Sequence, residues 1–211
     1  MEYIDVHTHR SSQGLHILDV SNGQQSLNDE RISYGIHPLF IEADSLERLK
    51  KVVSTVHLSA IGEAGLDRNS EAGIDLQIAI FEEEIKISEQ LGVPVIIHCV
   101  RAFPELISVH KRMKPKQAWI VHGYNNNQYI LKQLLDTGMY LSAGKALFHP
   151  ASNIVKLLKG IPLDRLFLET DDSVFRIEEV YTEALKILDI TLEALIEQIY
   201  INFEKCFRNG K

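Results

Sequence analysis

The sequence predicts an α/β fold of the (β/α) barrel type, shortened in its first β/α segment. Three observations carry this. Short β-branched runs alternate with amphipathic helical stretches along nearly the whole chain, the pattern of a parallel sheet with helical crossovers. About eight such runs can be read, the number that closes a sheet into a barrel. The 211 residues, 45% of them hydrophobic, suffice for one well-buried domain, read as residues 1–211, and would be cramped as two.

The first run, Tyr3-Ile4-Asp5-Val6, leads into His7-Thr8-His9. Strand side chains repeat with period two, so both imidazoles fall on one side. Leu15 to Val20 is a second apolar run, and Ser21-Asn22-Gly23 supplies turn chemistry. The third, Arg31 to Pro38, contains His37. The stretch between His9 and this run leaves little room for full helices.

Asp44 with Glu47 resembles a capping box ahead of Leu46, Leu49, Val52, Val53 and Val56 at helical spacing. Ser59 to Gly65 reads as a strand that delivers Glu63. Ile74, Ile78, Phe81 and Ile85 mark one face of a helix from about Ala72 to Leu91, with Glu82, Glu83, Glu84 and Lys86 on its solvated side. Val93 to Ile97 runs into His98, and Pro104 suits the first turn of the next helix.

Ala118 to Val121 leads into His122. A helix carrying Ile130, Leu131, Leu134 and Leu135 follows, with Gly138 where a C-terminal cap belongs. Met139 to Ser142 forms another strand, Ile154 to Lys159 a helix, and Arg165 to Leu168 the last strand, which ends at Glu169-Thr170-Asp171. Two helices complete the pattern. The first carries Val180, Ala184, Leu185 and Leu188; the second, capped by Thr191, carries Leu192, Leu195, Ile196, Ile199, Phe203 and Phe207.

Composition narrows the classes. No run approaches the roughly 18 to 20 apolar residues of a membrane helix, and no basic segment precedes an apolar signal core, so a soluble, cytoplasmic protein without a membrane partner is expected. Cys99 and Cys206 show no C-x-x-C spacing and read as reduced thiols. A net charge of −7 and a pI near 5.7 argue against a broad basic nucleic-acid surface. Nucleotide substrates stay open, because bound cations make a cleft locally positive.

Six apolar runs finish in a metal-type or acid–base residue: His7 with His9, His37, Glu63, His98, His122 and Asp171. Any one could be an ordinary hydrogen-bonded loop residue. In a barrel, however, the C-terminal strand ends converge on one mouth, so a recurrence in the same phase predicts a shared site. His16, His57, His110 and His149 lack this context. Mixed imidazole and carboxylate ligands suit zinc, manganese or iron more than calcium, while magnesium would favour more oxygen. The set is large enough for two ions sharing a carboxylate, an arrangement that activates water and clamps attacking and leaving oxygens.

The sequence resembles the TatD-type metal-dependent hydrolases of the amidohydrolase superfamily. The matching pieces are D-V-H-T-H at Asp5 to His9, G-I-H-P at Gly35 to Pro38, A-I-G-E-A-G-L-D at Ala60 to Asp67, P-V-I-I-H at Pro94 to His98, V-H-G-Y at Val121 to Tyr124, and I-P-L-D-R-L-F-L-E-T-D at Ile161 to Asp171. They occur in family order. The resemblance implies a TIM (β/α)8-type barrel with two divalent ions of zinc, manganese, magnesium or iron. It would place His7, His9 and Asp171 on one ion and His98 and His122 on the other, with Glu63 bridging. Asp171 would also accept the proton of the attacking water, and His37 would face the substrate phosphate, with Arg101 as a further phosphate contact.

The implied activity is phosphodiester hydrolysis of the TatD-like DNase kind, with DNA or another phosphodiester as a transient partner. Amide or lactone hydrolysis, and metal or ligand binding without turnover, are the alternatives. Three departures from the family pattern stand out. The segment from Arg10 to Glu30 is short, which predicts a missing first helix and an open or rearranged side of the barrel. His98-Cys99-Val100-Arg101-Ala102 replaces H-S-R-D, and no proline follows Asp171.

Overall fold

The computed structural model describes residues 2–11, 14–21 and 31–207. Its framework is one sheet of eight strands in chain order: β1 (Ile4–Thr8), β2 (Leu15–Asp19), β3 (Ile32–Tyr34), β4 (Ala60–Asp67), β5 (Val95–Val100), β6 (Trp119–Val121), β7 (Tyr140–Ala143) and β8 (Leu166–Leu168). Every neighbouring pair is parallel. A parallel bridge between Thr8 and Asp171 brings the last strand back to the first. There His9 N donates to Asp171 O at 3.2 Å and Asp171 N to His7 O at 3.0 Å. The expected barrel is therefore present.

Seven α-helices flank the strands among the described residues: α1 (Ser45–Thr55), α2 (Ile74–Leu91), α3 (Phe103–Met113), α4 (Gln128–Asp136), α5 (Asn153–Leu157), α6 (Ile177–Leu185) and α7 (Leu192–Phe207). Burial on both faces explains why the strands read as continuous apolar runs; β4 is buried along its whole length. Helix ends follow local chemistry. Asn127 Oδ1 accepts from Ile130 N to start α4, Thr191 Oγ1 accepts from Ala194 N to start α7, and Pro104 occupies the first turn of α3. At the close of α4, Gly138 takes a φ of 83°, which suits a residue without Cβ.

No helix separates β1 from β2 among the described residues. Ile4 is in register with Leu15, so β2 starts at the same end of the barrel as β1. The sheet nevertheless continues across this side, because β2 pairs with both β1 and β3. Of the two expected outcomes for this side, open or rearranged, the pairing fits the second: β2 is kept in the sheet, with no helix before it among the described residues. Most of the turn read at Ser21-Asn22-Gly23, and of the stretch after it, lies outside the described residues. Beside this side, Tyr181 Oη of α6 donates to Ile4 O at 3.1 Å and accepts from Ile4 N at 3.2 Å, tying α6 to the first strand.

Three smaller expectations are corrected. Asp44 makes no side-chain cap on α1; Ser45 Oγ instead accepts from Glu42 N at 2.9 Å. Leu188 lies beyond the end of α6, buried in the turn that follows. Glu84 is the informative case. It is 0% exposed rather than solvated, and Oε1 accepts from Ile36 N at 2.6 Å. Glu82 and Glu83 do pair with exposed cations, Arg112 and Lys86, so neighbours in one acidic run face different surroundings.

Candidate metal centre

The predicted residues converge at the C-terminal mouth of the barrel. His7 lies within β1, and His9 follows its end on the same side. Glu63 and His98 occupy the interiors of β4 and β5, not their ends, because these two strands continue in mutual register to Asp67 and Val100. His122 directly follows β6, while His37 and Asp171 stand a few residues beyond β3 and β8. The close pairing of β4 and β5 depends on Gly65. Its φ is 141°, and a Cβ there would meet His98 O at 2.1 Å.

Glu63 is the hub, and its two oxygens sort the histidines. Oε1 lies 2.7 Å from His98 Nδ1, 2.8 Å from His122 Nε2 and 3.2 Å from His37 Nε2. Oε2 lies 3.4 Å from His7 Nε2 and 3.5 Å from His9 Nε2. Asp171 joins the second group, with Oδ1 at 3.5 Å from His9 Nε2 and 3.8 Å from His7 Nε2. Metal bonds of about 2.0–2.2 Å put neighbouring ligand atoms roughly 3.0–3.6 Å apart, close to the spacing on the Oε2 side.

Two further observations fit a cation. His7 is fully buried, and neither of its ring nitrogens has a hydrogen-bond partner. Such an orphan is costly unless something unseen satisfies it. The charges point the same way. Burial alone would push the Glu63 carboxyl up, yet the facing imidazoles, His122 foremost, hold it well below its usual range. His9, bonded to Asp171 and Glu63, is raised to about 10. Burial opposes protonation of His122, but Glu63 and Glu169 raise it well above the ordinary histidine value. The carboxylates thus favour positive charge at His9 and His122, in the place where a bound ion would bring it.

Sequence reading missed the residues that hold this set in place. Asp19, at the end of β2, forms a potential ligand group with His7, His9 and Glu63. Its Oδ2 accepts from Glu63 N at 3.0 Å. A signal existed: the run Leu15 to Val20 also brings a carboxylate to its strand end. Asp67 Oδ2 lies 2.9 Å from His98 Nε2, opposite the nitrogen that faces Glu63. Glu169 Oε1 accepts from Gly123 N at 2.7 Å and lies 3.5 Å from His122 Nδ1. These are the outer partners that orient ligating histidines. Behind them, buried Asp5 accepts from Thr170 Oγ1 at 2.6 Å and Thr170 N at 3.0 Å, and burial pushes its carboxyl up to about 7.

His37 belongs to a second potential ligand group with Glu63 and His98, its Nε2 being 3.3 Å from His98 Nδ1. Arg101 is not part of the cluster. It is exposed, takes a φ of 55°, and donates to Asn69 Oδ1 at 3.4 Å. Lys145 reaches the cluster from a 3-10 helix (Lys145–Phe148) that follows β7, with Nζ 3.1 Å from Asp171 Oδ2 and also bonded to Asp172. Asp171 itself adopts a left-handed φ of 54°. Aspartate tolerates that region better than most residues, and such positions cluster at functional sites.

Comparison with known proteins places this geometry in a family. The profile described as TatD related DNase matches residues 13–208. An uncharacterized metal-dependent hydrolase from Buchnera aphidicola is 34% identical over 146 residues, covering 66% of this chain and 55% of that protein. A 3'-5' ssDNA/RNA exonuclease TatD from Erwinia tasmaniensis is 28% identical over 144 residues, covering 65% and 56%. The chain thus spans a little over half the length of these curated relatives. Among solved structures, the TatD homologue YJJV from Escherichia coli superposes with a TM-score of 0.84 at 20% identity, covering 98% of both chains. That likeness is one of fold. No helix among the described residues is long and apolar enough to cross a membrane.

Proposed function

The chain belongs to the TatD-related DNase family, and from that premise we propose that it is a divalent-metal-dependent hydrolase of phosphodiester bonds, with DNA or a related phosphodiester as its transient substrate. The observation that carries this reading is the division of the histidines between the two oxygens of Glu63. A carboxylate so placed suits a bridge between two ions. His7, His9 and Asp171 would hold one and His98 and His122 the other. Zinc, manganese, magnesium or iron so held would lower the pKa of water and stabilise charge on phosphoryl oxygens.

The chain's own groups have separable tasks. Asp171 would accept the proton of the attacking water, since Lys145 holds its Oδ2 while Oδ1 faces the histidines. His37, less buried than His7, would donate to a phosphate oxygen, with Arg101 at the rim as a second contact. Asp67 and Glu169 would keep His98 and His122 in the orientation their roles require. The eight strands of one sheet support reading residues 1–211 as one domain. A cytoplasmic setting fits the two free thiols, Cys99 and Cys206.

The test is to load the protein with each metal in turn and offer single-stranded DNA, a chromogenic phosphodiester and a panel of lactones. Metal-dependent cleavage of the phosphodiesters is expected. Hydrolysis confined to the lactones would move the chain to carbonyl chemistry, and no turnover of any substrate would leave a binding protein.

A further inference from the structure

At the end of the barrel opposite the candidate metal centre, the starts of β6, β7 and β8 border a cavity of about 360 Å³. Three of its lining side chains carry positive charge, Lys116, Arg165 and Lys205, while burial pushes the imidazole of His110 below the ordinary histidine value and favours its neutral form. No carboxylate lines it among the described residues, although the chain carries a net charge of −7. Two acids beside its lining residues are engaged. Glu89 accepts from the amides of Lys116 and Gln117 at 2.8 and 2.9 Å, and Asp164 lies 3.8 Å from Arg165.

The inner wall is held in place by contacts of its own. The Arg165 guanidinium sits 4.9 Å from the Tyr140 ring centroid and donates to Tyr140 Oη at 3.3 Å and to Asp164 O at 3.0 Å. His110 meets Trp119 edge-on, with ring centroids 4.8 Å apart. Trp119 is only 2% exposed, and its indole N–H has no acceptor. Three cations around one cavity, with no carboxylate lining it among the described residues, favour a ligand of negative charge.

We propose that this cavity is a second ligand site, which takes a small phosphate-bearing anion at the face of the barrel remote from the metal centre. Arg165 offers a planar fork for phosphate oxygens from a fixed position, while Lys116 and Lys205, on flexible stems at the rim, close over the ligand as point charges. The same chemistry would receive free phosphate, pyrophosphate or the phosphate of a mononucleotide.

Trp119 is the chain's only tryptophan, so its fluorescence reports on this cavity directly. The full chain is titrated with inorganic phosphate, pyrophosphate and thymidine 5′-monophosphate, with and without a chelator, at low and high salt. A saturable fluorescence change that weakens with salt is expected, and its Kd should rise about tenfold in the Lys116→Gln/Lys205→Gln double variant. Both lysines are exposed, and circular dichroism checks that the fold is kept. Tighter binding of the mononucleotide would assign a nucleotide source, and equal binding a free anion. Three results overturn the proposal: no fluorescence or calorimetric response up to about 10 mM anion, a response abolished by the chelator, or one unaltered in the double variant.

Discussion

The backbone amide of Glu63 donates to Asp19 Oδ2 at 3.0 Å, so the second strand fixes the residue that the fourth presents to the histidines. Asp19 also accepts from Ser21 N at 2.7 Å, which holds its carboxylate in one orientation. Removing the Glu63 and the Asp19 side chains should disturb metal binding to different degrees. Glu63→Ala is expected to reduce bound-metal stoichiometry with circular dichroism unchanged, whereas Asp19→Ala should keep the stoichiometry and weaken affinity by roughly 10–100-fold. Metal analysis with competitive titration checks both. Full metal content in Glu63→Ala would remove the bridging role.

His37 separates substrate contact from metal ligation. His37→Ala should retain the wild-type metal content and lose rate, by about 100-fold for loss of a charge-stabilising donor. Its Nε2 lies near both Glu63 and His98, so the alternative has a geometric basis. A fall in bound metal would make His37 a ligand.

Lys145 is expected to contribute to the acid side of the pH profile through Asp171. Burial would raise the Asp171 carboxyl, but the His9 hydrogen bond and nearby cations, Lys145 among them, hold it below the usual range. Lys145→Met removes one of those cations, so the Asp171 pKa rises and the acid limb of the pH–rate profile should move to higher pH. Lys145→Arg should restore it. An acid limb that stays in place in Lys145→Met sinks the idea.

Glu84 gives a stability prediction with an unusual sign. Burial raises its carboxyl well above the ordinary value of 4.5, and a single hydrogen bond from Ile36 N offsets this only in part. Between the unfolded and folded pKa values the folded state binds more protons, so stability falls as pH rises through that window, by at most ~1.4 kcal/mol per pH unit. Glu84→Gln mimics the neutral acid. Its denaturation free energy should therefore decline less between about pH 5 and 8, a range that starts above the ordinary glutamate value. Parallel pH profiles for the two proteins would show that Glu84 does not titrate in this way.

The barrel, the converging histidines and the lack of a helix between β1 and β2 among the described residues were legible because each depends on local pattern: β-branched runs, helical spacing and too few residues after His9 for a crossover. The boundaries were less so, and Glu63 and His98 lie inside strands that continue past them. Glu84 was misread for a physical reason. Helical periodicity gives a face its average environment, while the chain before His37 brings one backbone amide onto one carboxylate and buries both.

The sequence by itself determined the barrel, the phase in which acid–base residues reach its mouth, and most of the residues that gather there. Only the tertiary structure decided how they are shared: which Glu63 oxygen faces which histidine, that Asp19, Asp67 and Glu169 hold the ligands from behind, and that Lys145 reaches Asp171. Local pattern encodes which face a side chain takes within its own element. Pairing between strands distant in sequence is set by register and by glycine-permitted close approach, and these exist only once the sheet has closed.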